Sequence, residues 1–426
     1  MKKKLINPAN PKKKHRPLLR ALLEQTSDST QGWQEATYYQ ITYKKKKIKV
    51  ALTSTVIQRE SKNGGARYEA IDSTPLGKGS FGVVYPINAT IRMTHDDVLI
   101  KHKPYGKRRI AKQRPHTYRT MDDAVKEYNL TEKTPHSHAK YPVTFNHHIY
   151  SVSRRMEGRE LFDILNDDLT GVRKLTIKER LMLSKSLIEA LQTQVFDAGL
   201  VHRDLKPENI IVDVMQNLVG TIDFGLAKLN DAEMLNDSVG SMSYVSPEVL
   251  LDLGTTQQSD IYGMGRILAL LWRVNLDSYD PDIKSLERLK MAEKNDYSGL
   301  FQGIKGEINP KAARIIKEII HQMTAFKPLN RGSLNEVFDL FNTAEKLQFP
   351  EQVTSIFKTN PEGEHNNNSH KKVTNLKAEK SLSLEDAPVI KPKKKKWGGF
   401  FFKSSKKEEA PVMKPEKGPG PPTDRF

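Results

Sequence analysis

Val201-His202-Arg203-Asp204-Leu205-Lys206-Pro207-Glu208-Asn209, followed by Asp223-Phe224-Gly225, sets acids, bases and an amide among short apolar runs. Residues 209–212 and 219–222 read as two short strands around a polar turn. Ionised Asp and Arg rarely cluster beside apolar strands unless they pair or hold a metal. A charge-bearing site is therefore expected here. On the N-terminal side, residues 176–196 place Leu181, Ser184, Leu187, Ile188, Leu191 and Val195 on one helical stripe, closed at Gly199. On the C-terminal side, helices are expected at 260–272, 311–323 and 334–346. Farther upstream the pattern turns to strands, at 38–43, 48–57 and 148–155, with 44–47 as a solvated turn. Residues 76–100 read as strand, Gly-rich turn, strand, polar turn, strand. Helices interrupt at 17–25 and 121–133, the latter with Asp122 and Asp123 in its first turn. The expected fold class is α+β in two lobes, with a ligand crevice between them.

Charge and composition limit the alternatives. Of 426 residues, 37% are apolar and none is Cys, which excludes disulfide scaffolds, cysteine nucleophiles and thiolate metal sites. Mean hydropathy is -0.61, so some segments are not expected to pack. The net charge of +18 sits at the ends: residues 1–50 carry +10, residues 351–426 carry +6, and the middle holds only +2. A DNA-binding body would concentrate that excess on the fold, so nucleic acid is not the expected partner. No run approaches the ~18 apolar residues of a membrane helix, and no apolar segment follows Lys2–Lys4 as an export signal requires. A soluble, cytoplasmic protein is expected. It divides into a basic arm (1–35), a folded body (36–350, lobes meeting near 157–158) and a low-complexity tail (351–426) expected to be disordered.

The loop at 201–209 with Asp223-Phe224-Gly225 resembles the catalytic and metal-binding loops of eukaryotic-type protein kinases. The resemblance covers roughly residues 75–345. It implies the two-lobed kinase fold, ATP with Mg²⁺ (or Mn²⁺) as cofactors, and phosphoryl transfer to Ser/Thr of protein substrates. Asp204 would accept the hydroxyl proton, Lys206 would offset charge on the transferring group, and Asn209 and Asp223 would hold the metal. Lys206 in that position resembles Ser/Thr rather than tyrosine kinases. Arg203 implies an anion on the activation segment.

Gly77-Lys78-Gly79-Ser80-Phe81-Gly82-Val83-Val84 matches the Gly-rich phosphate loop, and its continuation as strand separates it from a Rossmann turn. Val98-Leu99-Ile100-Lys101 resembles the strand that carries the phosphate-contacting lysine. Lys101 is favoured because alternation precedes it directly, with Lys103 as rival. Its acidic partner on the next helix is expected to be Glu127, with Glu132 as rival. Thr131 departs from the family's usual apolar residue, and the connection at 104–120 is long and basic. Counting back from Gly158-Arg159-Glu160-Leu161 puts Met156 at the adenine-contacting backbone and Ser153 near the gatekeeper.

Gly240 to Glu248 resembles the end of the activation segment. Ser241 there matches the hydroxyl that supports the catalytic Asp, Glu248 would pair structurally with Arg331, and Asp260 would anchor the catalytic loop. Asp237, with phosphorylatable Ser238 beside it, offers Arg203 a built-in carboxylate. In the tail, Lys393–Lys396, Trp397, Phe400–Phe402 and Lys403–Lys407 mix cations with aromatics inside a patch at 391–407, which suits an anionic membrane surface. Nuclear import and single-stranded nucleic acid are rivals for that patch. The divergent connections and the tail resemble kinases that intracellular bacteria such as Legionella inject into host cells, which implies a secreted effector acting on host signalling. The alternative class is a pseudokinase scaffold or membrane-tethered binding module.

Overall fold

A computed structural model describes residues 2–25, 32–61, 64–79, 82–214, 216, 218–230 and 239–350. Residues 1–279 and 283–359 form one compact unit; of the second, only 280–282 are described. Ser80, Phe81, Asp237, Ser238 and the whole tail, with its basic-aromatic patch, lie outside the described residues.

The N-terminal segment does not form a loose arm. Strand β1 (Lys3–Ile6) is followed by helix α1 (Arg16–Gln25), β2 (Gly32–Trp33), β3 (Tyr39–Tyr43) and β4 (Lys46–Leu52). β1 pairs parallel with β4, Ile6 opposite Leu52, and β3 pairs antiparallel on the other side of β4. The parallel pairing requires a crossover, and α1 lies in it. Leu18, Leu19, Leu22 and Leu23 of α1 are buried with Ile6, Trp33, Val50 and Leu52. Each such side chain contributes roughly 1.5–3 kcal/mol of burial. The lysines that suggest an arm, Lys2–Lys4 and Lys12–Lys14, stay on the surface of this packed segment. Their charge dominates the composition without preventing the leucine stripe from packing.

The main sheet continues with β5 (Val56–Glu60), β6 (Ala66–Ile71), β7 (Gly77–Gly79), β8 (Gly82–Met93), β9 (Val98–Lys101) and β10 (Arg109–Pro115). Helix α2 (Tyr118–Thr131) precedes β11 (Lys140–Phe145) and β12 (His148–Arg154). The strand order is β11-β12-β10-β8-β6-β5-β2, with β7 and β9 also pairing to β8. β8 is twelve residues long and divides its neighbours: Val83–Ile87 face β10, whereas Thr90–Met93 face β9.

The second lobe is mainly helical. In order come β13 (Arg159–Glu160), α3 (Leu161–Thr170), α4 (Ile177–Leu191), β14 (Leu200–Val201), β15 (Ile210–Asp213), β16 (Leu218–Thr221) and β17 (Lys228–Leu229). Helices α5 (Pro247–Leu250), α6 (Gln257–Leu271), α7 (Ser285–Lys294), α8 (Pro310–Met323) and α9 (Leu334–Gln348) follow. Thr176 and Glu179 close a capping box at the start of α4. After α4, one π-helical turn at Gln192–Phe196 carries Gln194, which donates to Val219 O at 2.7 Å and accepts from Thr221 N at 2.9 Å. That turn ties the helical core to β16, which leads directly into Asp223.

Buried ion pairs fix the helical lobe. Arg331 is fully buried and meets Glu248 through two bonds of 2.7 Å each, while Ser259 Oγ donates to the same carboxylate at 2.8 Å. Burial alone would raise the Glu248 pKa; the bonds from Arg331 outweigh it and hold the pKa below its ordinary value of 4.5. Arg331→Met strands that carboxylate, so urea unfolding is expected to show a loss of about 3–5 kcal/mol near neutral pH. A depressed carboxylate contributes its stability above the unfolded pKa and loses it as pH falls through the folded one. The gap between wild type and variant therefore narrows as pH drops below 4.5.

Candidate active site

Asp204 lies in the loop after β14, and two backbone bonds hold that loop to α6. His202 N donates to Asp260 Oδ2 at 2.6 Å and Arg203 N donates to Asp260 Oδ1 at 2.9 Å. Asp260 is 2% exposed, and burial raises its pKa against the pull of His202 and Arg203. Arg203 itself takes a left-handed backbone, φ 69°. Such a conformation costs a β-carbon-bearing residue about 1–3 kcal/mol, so the surroundings must impose it.

Three donors converge on the Asp204 carboxylate. Ser241 Oγ donates to Oδ1 at 2.8 Å; Lys206 Nζ and Asn209 Nδ2 donate to Oδ2 at 2.8 and 3.1 Å. Lys206 Nζ also reaches Ser241 Oγ at 3.0 Å, so the segment at Ser241 is tied to the loop. Asn209 spends its amide nitrogen on Asp204, including the backbone oxygen at 2.8 Å, which turns the amide oxygen away from Asp204.

Asp223 follows β16 and also has a left-handed backbone, φ 63°. Its Oδ1 accepts from Lys112 Nζ at 2.8 Å, and the same Nζ reaches Glu127 Oε1 of α2 at 3.0 Å. Arg114 Nη2 holds the other oxygen of Glu127 at 2.5 Å. Burial would raise the Asp223 pKa, but the Lys112 charge and hydrogen bond lower it overall. Burial would lower the Lys112 pKa, but Glu127 and Asp223 raise it overall, so the amine is charged at neutral pH.

The lysine that pairs with Glu127 and lines the interlobe cavity is therefore Lys112 and not Lys101. Val84, two residues beyond Gly82, pairs directly with Lys112 on β10. Lys101 pairs with Thr90 at the far half of β8, is exposed, and does not line the interlobe cavity. Its rival Lys103 is absent from that cavity as well. Glu127 is where the acidic partner was expected; Glu132 stands at the C-terminal cap of α2 and does not line the interlobe cavity. A sequence signal for Lys112 does exist. Ile110-Ala111-Lys112 sits fifteen positions before Glu127, a strand-to-helix distance, whereas Lys101 is eleven positions farther back.

The interlobe cavity has a volume of about 240 Å³, and its walls include Gly79, Gly82, Val84, Ser153 and Met156, with Lys112 and Asp223 at its end. Gly77, Lys78 and Val83 belong to the same hairpin but do not line the cavity. Gly82 has φ 128°, and a side chain there would strike Gln113 O of β10, so the hairpin can lie flat on β10 only with glycine. A larger cavity, about 340 Å³, lies in the helical lobe around Arg266 and Tyr297, but it contains none of these acids or the lysine.

Phe224 packs against His202 at 4.9 Å and His136 at 6.4 Å between ring centroids, joining the Asp204 loop to the connection after α2. His136 Nε2 lies 2.8 Å from Thr221 O, and burial lowers its pKa. Thr131 satisfies its hydroxyl within α2 by donating to Glu127 O at 2.6 Å, which explains how a polar residue fits there.

Residues 71–340 match the family model for the protein kinase domain. Among curated proteins, the chain is 29% identical over 200 residues to calcium/calmodulin-dependent protein kinase cmkA of Emericella nidulans, covering 45% of this chain and 44% of that one. It is 33% identical over 221 residues to the carbon catabolite-derepressing protein kinase of Saccharomyces cerevisiae (50% and 31%). It is 39% identical over 180 residues to CBL-interacting protein kinase 21 of Oryza sativa subsp. japonica (40% and 31%). The matched segments span less than two thirds of each relative. With the family model covering well over half of its length, the chain belongs to the protein kinase domain family.

Proposed function

We propose that the protein transfers the γ-phosphoryl group of ATP to serine or threonine hydroxyls of protein substrates. The observation that carries this reading is the pairing of two constellations at one cleft. Lys112 is charged between Glu127 and Asp223, and Asp204 is held by Ser241, Lys206 and Asn209. Phosphoryl transfer requires mainly positioning and neutralisation of charge on the phosphates. Lys112 supplies a fixed cation beside the cavity where phosphates would lie. Asp204 is the carboxylate that would orient the attacking hydroxyl and accept its proton. Lys206 would offset charge on the moving group. Met156 and Ser153, on the cavity wall where β12 runs into the interlobe connection, suit the base of the nucleotide.

The donor set fits a Mg²⁺ ion. Asp223 keeps a second carboxylate oxygen beyond the one on Lys112, and Asn209 keeps its amide oxygen, both hard ligands. Among the described residues no three acids or imidazoles converge, so most of the coordination shell falls to phosphate and water, as Mg²⁺ prefers. When bound, the ion neutralises phosphate charge.

The test is transfer of labelled phosphate from Mg-ATP to a generic basic protein, with Asp204→Ala as control. Label appearing equally in both would remove the reading and leave a binding scaffold. The finer proposals need their own tests. Asp237 as a built-in partner for Arg203 predicts that Asp237→Ala lowers the activity of unphosphorylated protein. Delivery to a host cell as an effector predicts that deletion of residues 351–426 reduces translocation. Attachment through the 391–407 patch predicts salt-sensitive liposome binding of the full chain. Among the described residues no helix is long and apolar enough to cross a membrane.

A further inference from the structure

A second cavity, about 280 Å³, opens on the strand-rich lobe and is lined mainly by cations. The pairing registers bring them to one face. Arg59 stands opposite Arg67 on β5 and β6, Glu69 opposite Thr90, and Thr90 opposite Lys101 on β9. Arg92 lies two residues beyond Thr90 and so shares its side of the sheet. Lys103 and Arg109, flanking the connection into β10, complete the wall with Lys140.

Beneath them lies a single carboxylate, Glu69, fully buried and already saturated. It accepts from Arg59 Nε at 2.7 Å, Arg109 Nη1 at 3.0 Å and Thr90 Oγ1 at 2.6 Å. Leaving Lys140 aside, six cationic side chains thus face one acid, a local excess of five, and no acidic residue lines the cavity itself. Arg92 Nε is buried without a hydrogen-bond partner, and among the described residues Lys101 and Lys103 form no ion pair. Burial lowers the Lys103 pKa, and the nearby Arg109 and Arg92 charges add to the effect and outweigh the opposing pull of Glu69, as expected where cations outnumber the acid among them. Repulsion among charges held on a rigid sheet is relieved when an anion enters.

We propose that this cavity is a binding site for a small polyphosphorylated anion, free or as a lipid headgroup. A concave pocket this size suits closely spaced phosphates, and a single phosphate would leave most of the cationic excess uncompensated. Two arginines pre-oriented by Glu69 present planar donors, while Lys101 and Lys103 at the rim act as mobile point charges. The site is separate from the interlobe cleft, though Lys140 lines both, and it does not depend on the proposed catalytic reading.

Calorimetric titration of the full chain with tripolyphosphate tests it, in about 0.15 M salt to screen surface charge and with a non-hydrolysable ATP analogue and Mg²⁺ present. Saturable binding is expected, weakened roughly tenfold or more by Lys101→Glu with Lys103→Glu. The exposed pair Lys13→Glu with Lys14→Glu makes the same charge change elsewhere and should leave binding near wild type. Arg92→Gln removes one wall charge while keeping a polar side chain and should also weaken it; it decides the matter should the reversal pair fail to melt cooperatively. Absence of saturable binding, or equal loss from the control pair, overturns the proposal. Vesicles containing a bisphosphorylated inositol lipid distinguish the source. Capture that tripolyphosphate competes away assigns a headgroup; tripolyphosphate binding without capture assigns a soluble anion. Either outcome upholds the site.

Discussion

Lys112→Met is expected to lower kcat/KM for phosphoryl transfer roughly 10²–10³-fold, about 2.7–4 kcal/mol of transition-state stabilisation. Methionine keeps the length and apolar stem of the side chain, so the loss is of charge rather than packing. In the folded protein that charge is secure: burial disfavours it, but Glu127 and Asp223 more than restore it. Glu127 retains Arg114 in the variant, and Thr120 still donates to Pro115 O, so α2 stays linked to β10. Asp223 loses the cation that holds its carboxyl below the ordinary range, so its ability to present an ionised oxygen weakens as well. Initial rates on a basic protein and nucleotide affinity should be measured for Lys112→Met and Lys101→Met in parallel. The loss at position 112 should exceed that at 101 by roughly tenfold or more. Equal losses would mean that the strand pairing of Val84 with Lys112 does not locate the phosphates.

The contrast between these two lysines explains what could be read from residues alone. Asp204, Asn209 and Asp223 are legible because their chemistry is confined to short loops where spacing along the chain nearly determines spacing in space. Lysine on a strand is different. β9 ends in Lys and β10 carries one at its centre, each after apolar residues, and strand alternation reports only which face a residue takes. The half of β8 to which a strand pairs is a long-range fact, fixed by the length of β8 and the hairpin at 94–97. The start of α2 fails for a local reason. Asp122 and Asp123 look like a first turn, but Thr117 and Thr120 form the capping box and begin the helix at Tyr118. At the N-terminus, lysine density suggests a solvated arm, whereas the four leucines of α1 supply enough apolar surface to fold it. Charge counts register what faces water and are silent on what lies behind it.

Asp204→Asn is expected to reduce turnover roughly 10²–10⁴-fold, the usual value of a positioned general base, with nucleotide affinity near wild type. The substitution is informative because the surrounding bonds can survive it. The amide oxygen can take the place of Oδ2, where Lys206 and Asn209 both donate, and the amide nitrogen can face Ser241, whose hydroxyl can accept as well as donate. Shape, burial and loop position are then conserved, and what disappears is the negative charge and the capacity to take a proton. Asp204→Ala instead leaves Lys206 and Asn209 without their acceptor and should add a stability loss that urea unfolding detects. A large fall in turnover for Asn with unchanged unfolding midpoint assigns the loss to chemistry. If Asn turned over like wild type while Ala did not, Asp204 would be a structural acceptor, and the proton of the attacking hydroxyl would have to leave by another route.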